Sequence, residues 1–195
     1  MHIELTEMLR CIAPHPPAAL VLSTGAMRGR RVLSGLVGCP VCRREYPIVD
    51  GVVDFGAASG PEPAGAPPDP GALQALVDLS GPGGLVVLVG GAVRDAPGLA
   101  ARIEGVHLVG VNPPAAARES GALSLLRAPG CIPLGSALAR GVVLGAEVAA
   151  APWLAEGVRV LLPGRRLVAE REGLEPPAGI RFLAAGDGLW VGEKA

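Results

Sequence analysis

Short apolar runs set off by glycine and proline fill the second half of the chain. Leu85–Val89 and His107–Val111 are apolar at nearly every position, without polar residues at every second one. A strand with one solvated face alternates, whereas a strand buried on both faces does not, so these runs predict strands of a parallel sheet covered on both sides. Similar runs predict further strands at Ala122–Leu126, Gly141–Leu144, Arg166–Glu170, Ile180–Ala184 and Leu189–Gly192.

Helical patterns lie between several of these runs. They predict helices at Ala72–Leu79, Pro97–Glu104 and Glu147–Leu161. Strands that alternate with helices indicate a doubly wound sheet, so the expected fold class is α/β with a Rossmann-like, mostly parallel sheet. Because several connections are short, some helices are expected to be lost or reduced to single turns.

The start of the chain has a different pattern. Ala19–Ser23 and Arg31–Val37 predict two strands joined by a turn, and Ile3–Arg10 predicts either a strand or one helical turn. Residues 57–71 are rich in proline, glycine and alanine, which is typical of an extended, semi-rigid linker. The expected division is a small N-terminal unit at 1–56, a linker at 57–71 and a larger α/β domain at 72–195.

Composition limits the classes of function. The net charge is −1, so binding to nucleic acid through overall charge has no support. A local basic cluster lies on the N-terminal unit, where contact with RNA is an alternative to a solvated surface: Arg28, Arg30, Arg31, Arg43 and Arg44. The most apolar stretch, Gly83–Val93, is about half of the ~20 residues that a membrane span needs. With no secretion signal at the start, a soluble, cytoplasmic protein is expected.

Four residues of the N-terminal unit have the spacing of a metal site. Cys11 and His15 form a C-x3-H pair, and Cys39 and Cys42 form a C-x2-C pair. Paired cysteines in a reducing cytosol bind metal more often than they form disulfides, and zinc prefers four such ligands in a tetrahedron. A unit of about 55 residues also buries too little surface to be robust alone, which metal binding commonly offsets.

The spacing therefore predicts a zinc ribbon. Its metal would be structural, because protein side chains would fill all four positions. The alternative is that Cys11 is a buried apolar residue and His15 a surface residue. His2 is a second candidate for the fourth ligand.

Three segments of the N-terminal unit resemble the zinc-ribbon family of methyltransferase activators. They are Leu9-Arg10-Cys11, Cys39-Pro40-Val41-Cys42 and Tyr46-Pro47-Ile48-Val49-Asp50-Gly51-Val52-Val53. That family has two C-x2-C knuckles and a tail of Tyr-Pro-Ile-x-Asp-Gly-Ile-Pro. The chain departs from it at the first knuckle, which is C-x3-H, and at Val53, which replaces the last proline. Family members dock on methyltransferases or are fused to them. The resemblance thus implies a protein partner, either a methyltransferase or a larger complex.

Three runs of residues 72–195 resemble class I methyltransferases that use S-adenosylmethionine. Val86–Arg94 lies at the place of the family's glycine-rich loop, and Val109–Asn112 lies where its second strand ends. Leu162–Val168 is similar to the family's Leu-x-Pro-Gly-Gly-Arg-Leu turn. The resemblance implies S-adenosylmethionine as cofactor, held by Gly90, Gly91 and Asn112.

The same runs lack several of the residues with which the family contacts the cofactor. Leu88 stands where the family has an acid, and Ala92 and Arg94 replace loop glycines. Asn112 replaces the acid that would hold the ribose hydroxyls, and Arg94 would place a cation near the cofactor's sulfonium. The loss of two charged contacts, at ~1.5–3 kcal/mol each, would weaken binding by roughly two to four decades.

These departures favour a zinc-binding, non-catalytic, methyltransferase-like adaptor, a pseudoenzyme that acts through protein–protein contacts. An active S-adenosylmethionine-dependent methyltransferase acting on RNA or protein is the second hypothesis, since methyl transfer depends on proximity more than on side-chain chemistry. A structural subunit of a larger assembly is the third. No residue is assigned a catalytic role.

Overall fold

The computed structural model describes residues 1–63 and 65–195; Ala64, inside the predicted linker, lies outside the described residues. The N-terminal unit begins with a 3-10 helix at Ile3–Glu7, so the helical turn, one of the two alternatives predicted for Ile3–Arg10, is the one present. Its strands are β1 (Val21–Thr24), β2 (Met27–Arg28), β3 (Arg31–Val32), β4 (Gly35–Gly38), β5 (Glu45–Val49) and β6 (Val52–Asp54).

The rest of the chain carries seven strands and three α-helices in the described residues. The strands are β7 (Leu85–Val89), β8 (His107–Val111), β9 (Leu123–Arg127), β10 (Ala139–Leu144), β11 (Leu161–Ala169), β12 (Ile180–Gly186) and β13 (Leu189–Lys194). The helices are α1 (Pro70–Leu76), α2 (Ala96–Ala100) and α3 (Trp153–Val160), with 3-10 helices at Gly90–Asp95 and Ala146–Val148. None of the described helices combines the length and hydrophobicity that a bilayer crossing demands.

Five neighbouring strands at the centre of the sheet run parallel, in the order β9-β8-β7-β10-β11, and β13 and β12 follow as antiparallel strands. Every residue of β7 is buried. Leu85, Val87 and Val89 enter one hydrophobic cluster, and Val86 and Leu88 enter the other, so both faces are covered. The predicted fold class, α/β with a small N-terminal ribbon and a mostly parallel Rossmann-like sheet, is confirmed.

The N-terminal unit continues this sheet. β5 and β6 form a hairpin through Asp50 and Gly51, whose φ angles of 49° and 80° suit a two-residue type I′ turn. β6 then pairs in parallel with β9, from Val52 opposite Leu125 to Asp54 opposite Arg127. The sequence pattern did not predict this pairing. The division of the chain into units at 1–56, 57–71 and 72–195 stays a prediction.

The first residues of the chain cover one face of the sheet. Leu5 and Leu9 are fully buried and belong to the same hydrophobic cluster as Val87 and Val142. In the described residues, the connections after β8 and β9 contain no helix. The N-terminal segment therefore covers apolar strand surface that a helix would otherwise cover, while α1 and α2 pack on the opposite face.

α3 is shorter than predicted. The pattern predicted a helix from Glu147 to Leu161, but the α-helix begins only at Trp153. The residue before a proline is disfavoured in a helix, so Pro152 separates α3 from the short 3-10 turn at Ala146–Val148. The shortened helix leaves Glu147 in the connection that follows β10.

Candidate functional site

The four predicted metal ligands come together in the N-terminal unit. Their ligand atoms all lie within 4.8 Å of one another. The Sγ atoms of Cys11 and Cys42 are 3.6 Å apart, and Cys39 Sγ is 3.4 Å from His15 Nε2. Tetrahedral zinc, with bonds of about 2.3 Å to sulfur and about 2.1 Å to nitrogen, would place such pairs roughly 3.6–3.8 Å apart. The donor set and its spacing therefore fit a zinc ion.

The second knuckle is formed by the backbone that follows β4. The Cys39 amide donates to the Arg44 carbonyl at 2.8 Å, and the Arg43 amide donates to the Cys39 carbonyl at 2.9 Å. Arg43 has a φ of 62°, which reverses the chain and turns Cys42 back toward Cys39. The C-x2-C spacing therefore gives a tight turn with both thiols on its inner side.

The first knuckle is a wider loop that closes on itself. The Cys11 amide donates to the Ala18 carbonyl at 3.0 Å, and the His15 amide donates to the Ala13 carbonyl at 2.8 Å. Arg10 forms an antiparallel bridge with Ala19, which fixes the base of the loop. The longer C-x3-H spacing is accommodated because the imidazole reaches further than a thiol.

The His15 ring is oriented by a backbone carbonyl. His15 Nδ1 lies 2.7 Å from the carbonyl oxygen of Pro16. A carbonyl only accepts, so Nδ1 carries the hydrogen and Nε2, which faces Cys39, keeps the lone pair that a metal needs. His2 lies elsewhere, with Nε2 2.7 Å from the Gly121 carbonyl and its ring against His107. Of the two histidines considered for the fourth position, His15 is the one in the cluster.

Tyr46, from the Tyr-Pro-Ile run, lies against the cluster. Its hydroxyl is 3.2 Å from Cys11 Sγ, and its buried ring packs on Phe55 with centroids 4.5 Å apart. Burial raises the pKa of Cys11, but hydrogen bonds from Tyr46 and from the Ala13 amide outweigh burial, and the net pKa shift is downward. The pKa of Cys39 is also lowered, because hydrogen bonds from the Cys42 and Val41 amides outweigh burial. These two shifts favour the thiolate, the form that binds a metal. The pKa of Cys42 is raised instead: the hydrogen bond from the Arg44 amide lowers it, but burial and the Cys39 and Cys11 thiols outweigh that bond.

The predicted cofactor residues lie at a second place, the carboxyl edge of the parallel strands. Gly90 follows β7 with a φ of 63° and opens the 3-10 helix at Gly90–Asp95, together with Gly91. Asn112 follows the neighbouring strand β8 with a φ of 50°. In open α/β sheets this edge is where ligands bind.

An acidic side chain already contacts the glycine loop. The Gly91 amide donates to Oε1 of Glu147. A Cβ at Gly145 would lie 2.7 Å from the same oxygen, and one at Gly90 would collide with it. The Glu147 carboxylate thus lies in a cradle of three glycines. Sequence reasoning missed this residue because no motif marks it and it fell inside a predicted helix.

The linker passes over the same edge. The Gly60 amide donates to the Pro113 carbonyl at 2.9 Å, and a Cβ at Gly91 would lie 2.8 Å from Cβ of Pro63. A cavity of about 230 Å³ lies beside the linker here. It is smaller than the ~300–1,000 Å³ typical of small-molecule sites. Its lining residues are Glu62, Pro63, Arg94, Pro114, Ala116 and Ala117.

Asn112 is engaged with the backbone of the next connection. Its Nδ2 donates to the Ala128 carbonyl at 2.8 Å, and its Oδ1 accepts from the Ala128 amide at 2.8 Å. This pair of hydrogen bonds holds the connection after β9 against the end of β8. The side-chain amide has a structural role in this position.

A buried charge cluster completes this edge. Arg94 Nη2 forms an ion pair with Glu170 Oε2 at 2.7 Å, and Arg94 Nε lies 3.7 Å from Asp95 Oδ1. Burial, followed by the neighbouring Glu170, raises the pKa of Asp95 to about 8. Burial also raises the pKa of Glu170. The Arg94 guanidinium is held in place by these acids at the end of the glycine loop.

No protein-family model matches this sequence, and comparison with curated proteins gives no match. Solved structures give matches to methyltransferases. The complex between the Haloferax volcanii Trm112 methyltransferase activator and a methyltransferase matches with 22% identity, 50% of each chain covered and a TM-score of 0.41. Geranyl diphosphate methyltransferase with GPP and sinefungin matches with 22% identity, 51% of this chain and 42% of that chain covered and a TM-score of 0.41.

The antibiotic-resistance methyltransferase Kmr matches with 17% identity, 70% of this chain and 97% of that chain covered and a TM-score of 0.39. This chain spans half or less of the length of the first two structures. With identities below 25% and TM-scores below 0.5, these matches carry no argument about activity or partners. The fold class rests on the strand order of the chain itself.

Proposed function

We propose that this chain is a zinc-binding, non-catalytic, methyltransferase-like adaptor that acts through contacts with a protein partner. One observation carries the proposal: the chain's own groups occupy the edge of the sheet where a nucleoside cofactor would bind. Glu147 takes the Gly91 amide, and Pro63 lies against the same glycine. A ligand at this loop would first have to displace both.

The polar groups at this edge also fit the cofactor poorly. By the resemblance, Arg94 would bring a cation toward the cofactor's sulfonium, and in this fold Arg94 is ion-paired with Glu170. The side-chain amide of Asn112 is hydrogen-bonded to the Ala128 backbone. A ribose at this position would need a charged acceptor for its hydroxyls, which a neutral amide is not. A cofactor bound to the Asn112 side chain would first have to break its two hydrogen bonds with the Ala128 backbone. No reaction step is therefore assigned to the chain.

Zinc fits the N-terminal cluster in this account. Cys11, His15, Cys39 and Cys42 would hold it, and the metal would cross-link two loops of a unit with a small core. Four protein ligands leave no open position for a substrate or water, which supports a structural metal. A rigid ribbon fused to the sheet then offers a surface to a partner.

Calorimetric titration of the zinc-loaded chain with S-adenosylmethionine and S-adenosylhomocysteine tests the proposal. We expect no saturable heat at millimolar ligand, because the Gly91 amide and the space above it are already taken. Micromolar affinity for either ligand would overturn the adaptor proposal and favour an active methyltransferase. Zinc content and far-ultraviolet circular dichroism of the same sample verify that the titrated protein is folded.

A further inference from the structure

A cavity of about 340 Å³ lies on one face of the sheet, where β6 pairs with β9. Two pairs of opposite residues line it: Val52 opposite Leu125, and Asp54 opposite Arg127. Side chains two positions apart on a strand point to the same face, so these four residues form one continuous surface. The rest of the lining comes from the connection after β8 and from the turn of the β5–β6 hairpin. The cavity therefore lies where the N-terminal unit meets the parallel strands.

The connection after β8 explains why this face is not filled. Parallel neighbours such as β8 and β9 are usually joined by a helix that packs on the sheet. Residues 112–122 contain no helix and follow an irregular path that includes Pro113 and Pro114. The same face is covered by α2 further along the sheet, where Leu99 and Leu125 belong to one hydrophobic cluster. Over β6 and β9, a loop in place of a helix leaves the cavity.

Arg127 brings a cation to the wall of this cavity. Its Nε atom is buried and has no hydrogen-bond partner in the described residues, and no carboxylate among them forms an ion pair with it. Asp54, which lies directly opposite, instead accepts from the Gly56 amide at 2.7 Å through Oδ1. Buried polar groups nearly always have a partner, and the fork of donors on a guanidinium matches the two oxygens of a carboxylate. The surroundings of Arg127 therefore favour a ligand that carries a carboxylate.

The other charges of the lining are mixed in sign. Arg118 is a second cation, and Glu119 is already paired, because its Oε1 lies 2.6 Å from Arg31 Nη2. Asp50 and Asp54 also line the cavity and have no ion-pair partner in the described residues. Two arginines and two aspartates are therefore the charges that a ligand would meet. A ligand with one sign of charge would be attracted by one pair and repelled by the other, whereas a zwitterion suits both.

We infer that this cavity binds a small zwitterion, a free amino acid with an apolar side chain. Asp54 and Arg127 carry opposite charges on neighbouring strands, which lie about 4.8 Å apart, and an amino acid carries opposite charges on the two groups of one carbon atom. Its carboxylate would pair with Arg127 and its ammonium with Asp54. Its side chain would lie on Val52 and Leu125. The volume is at the lower end of the ~300–1,000 Å³ typical of small-molecule sites, which suits a ligand of this size.

Three related ligands test the two charges separately. L-Leucine has both charges, L-leucinamide lacks the carboxylate, and 4-methylpentanoate lacks the ammonium. Each is titrated into the zinc-loaded chain and followed by two-dimensional amide NMR. We expect saturable shifts of the Asp54 and Arg127 amides with leucine. Either analogue should bind at least tenfold more weakly, because each loses one charge-assisted contact.

Substitutions that remove one charge assign each contact. Arg127→Gln should weaken leucine at least tenfold but should not weaken leucinamide, which has no carboxylate to pair. Asp54→Asn should weaken leucine at least tenfold but should not weaken 4-methylpentanoate, and its side-chain oxygen can still accept from the Gly56 amide. Arg171→Gln and Asp187→Asn make the same chemical changes on exposed residues outside the cavity and should leave the affinity unchanged. Zinc content and unshifted amides elsewhere verify that each variant is folded.

No saturable shift with leucine, equal affinities for the three ligands, or shifts confined to amides outside the cavity would each overturn the inference. The inference goes beyond the adaptor proposal and does not rest on it, because Gly90, Gly91 and Glu147 are not among the residues that line this cavity. S-adenosylmethionine also carries an amino-acid group, so position separates the two sites. Binding in the cavity would move the Asp54 and Arg127 amides, whereas binding at the glycine loop would move those of Gly90 and Gly91. The amino-acid site can fail while the adaptor proposal stands, and the reverse also holds.

Discussion

Asp95 is a buried acid whose protonation affects the stability of the fold. In the unfolded chain its carboxyl group loses the proton near the ordinary pKa of 3.8, whereas in the folded chain burial and Glu170 hold the proton until about pH 8. Between these values the folded state binds more protons. Raising the pH therefore favours the unfolded state, by up to about 1.4 kcal/mol per pH unit. The contribution of Asp95 is full below pH 3.8 and is lost as the pH rises to about 8.

Asp95→Asn should remove this part of the pH dependence. Asparagine has nearly the same size and can still donate to Glu170, but it does not titrate. The free energy of unfolding, measured by urea denaturation from pH 4 to pH 9, should fall less steeply for the variant than for the wild type. Parallel curves would contradict the raised pKa of Asp95.

The loop from Cys11 to His15 and the loop from Cys39 to Cys42 are the part of the fold whose stability we expect to depend on the metal. Cys42→Ser should leave less than one zinc per chain and lower the free energy of unfolding by several kcal/mol, because three ligands no longer cross-link the loops. Cys131→Ser is the matched control. Burial and the nearby Glu156 raise the pKa of the Cys131 thiol to about 11, so it stays protonated and should not bind the metal.

Elemental analysis and thermal unfolding of the two serine variants check this prediction. The control should keep one zinc per chain and a nearly unchanged melting temperature. Equal zinc content in both variants, or full stability of metal-free wild-type protein, would exclude a structural role for the four-residue cluster.

β5 and β6 form a hairpin, and β6 pairs with β9, which connects the N-terminal unit to the parallel strands. Gly51 lies in the turn of this hairpin. Gly51 and Gly188 have φ angles of 80° and 77° and follow an aspartate in two similar hairpins. A Cβ at Gly188 meets nothing within 4 Å, whereas one at Gly51 would collide with the Glu119 carboxylate that pairs with Arg31.

Gly188→Ala should therefore cost about 1–2 kcal/mol, the strain of a left-handed residue. Gly51→Ala should cost clearly more, because the same strain is joined by the lost contact with Glu119. Urea unfolding of both variants measures the difference. Equal costs would show that the packing between the hairpin and Glu119 contributes little to stability.

At the scale of the whole molecule, local patterns predicted local features well. β7 and β8 have the predicted bounds because continuous apolar runs identify strands buried on both sides, and the spacing of Cys39 and Cys42 sets a tight turn. The pairing of β6 with β9 joins residues more than 70 positions apart, and no short pattern encodes it. The contact of Glu147 with Gly91 spans 56 positions and was hidden for the same reason.

At the carboxyl edge of the parallel strands, the sequence motif alone does not determine the function. Gly90 and Gly91 match a cofactor loop in sequence, but in the fold their glycine character accommodates Glu147 and Pro63 of the same chain. The absence of a side chain is a requirement for close approach by any group, whether ligand or protein. Whether such a glycine accommodates a ligand or another part of the protein depends on the groups that lie next to it in the fold.

The most direct test of the account follows the Gly91 amide itself. In two-dimensional amide NMR spectra of the zinc-loaded chain, the Gly90 and Gly91 resonances should not move when S-adenosylmethionine is added to millimolar concentration. Saturable shifts of these two resonances at micromolar ligand would contradict the account, because they would place the cofactor where Glu147 and Pro63 now lie.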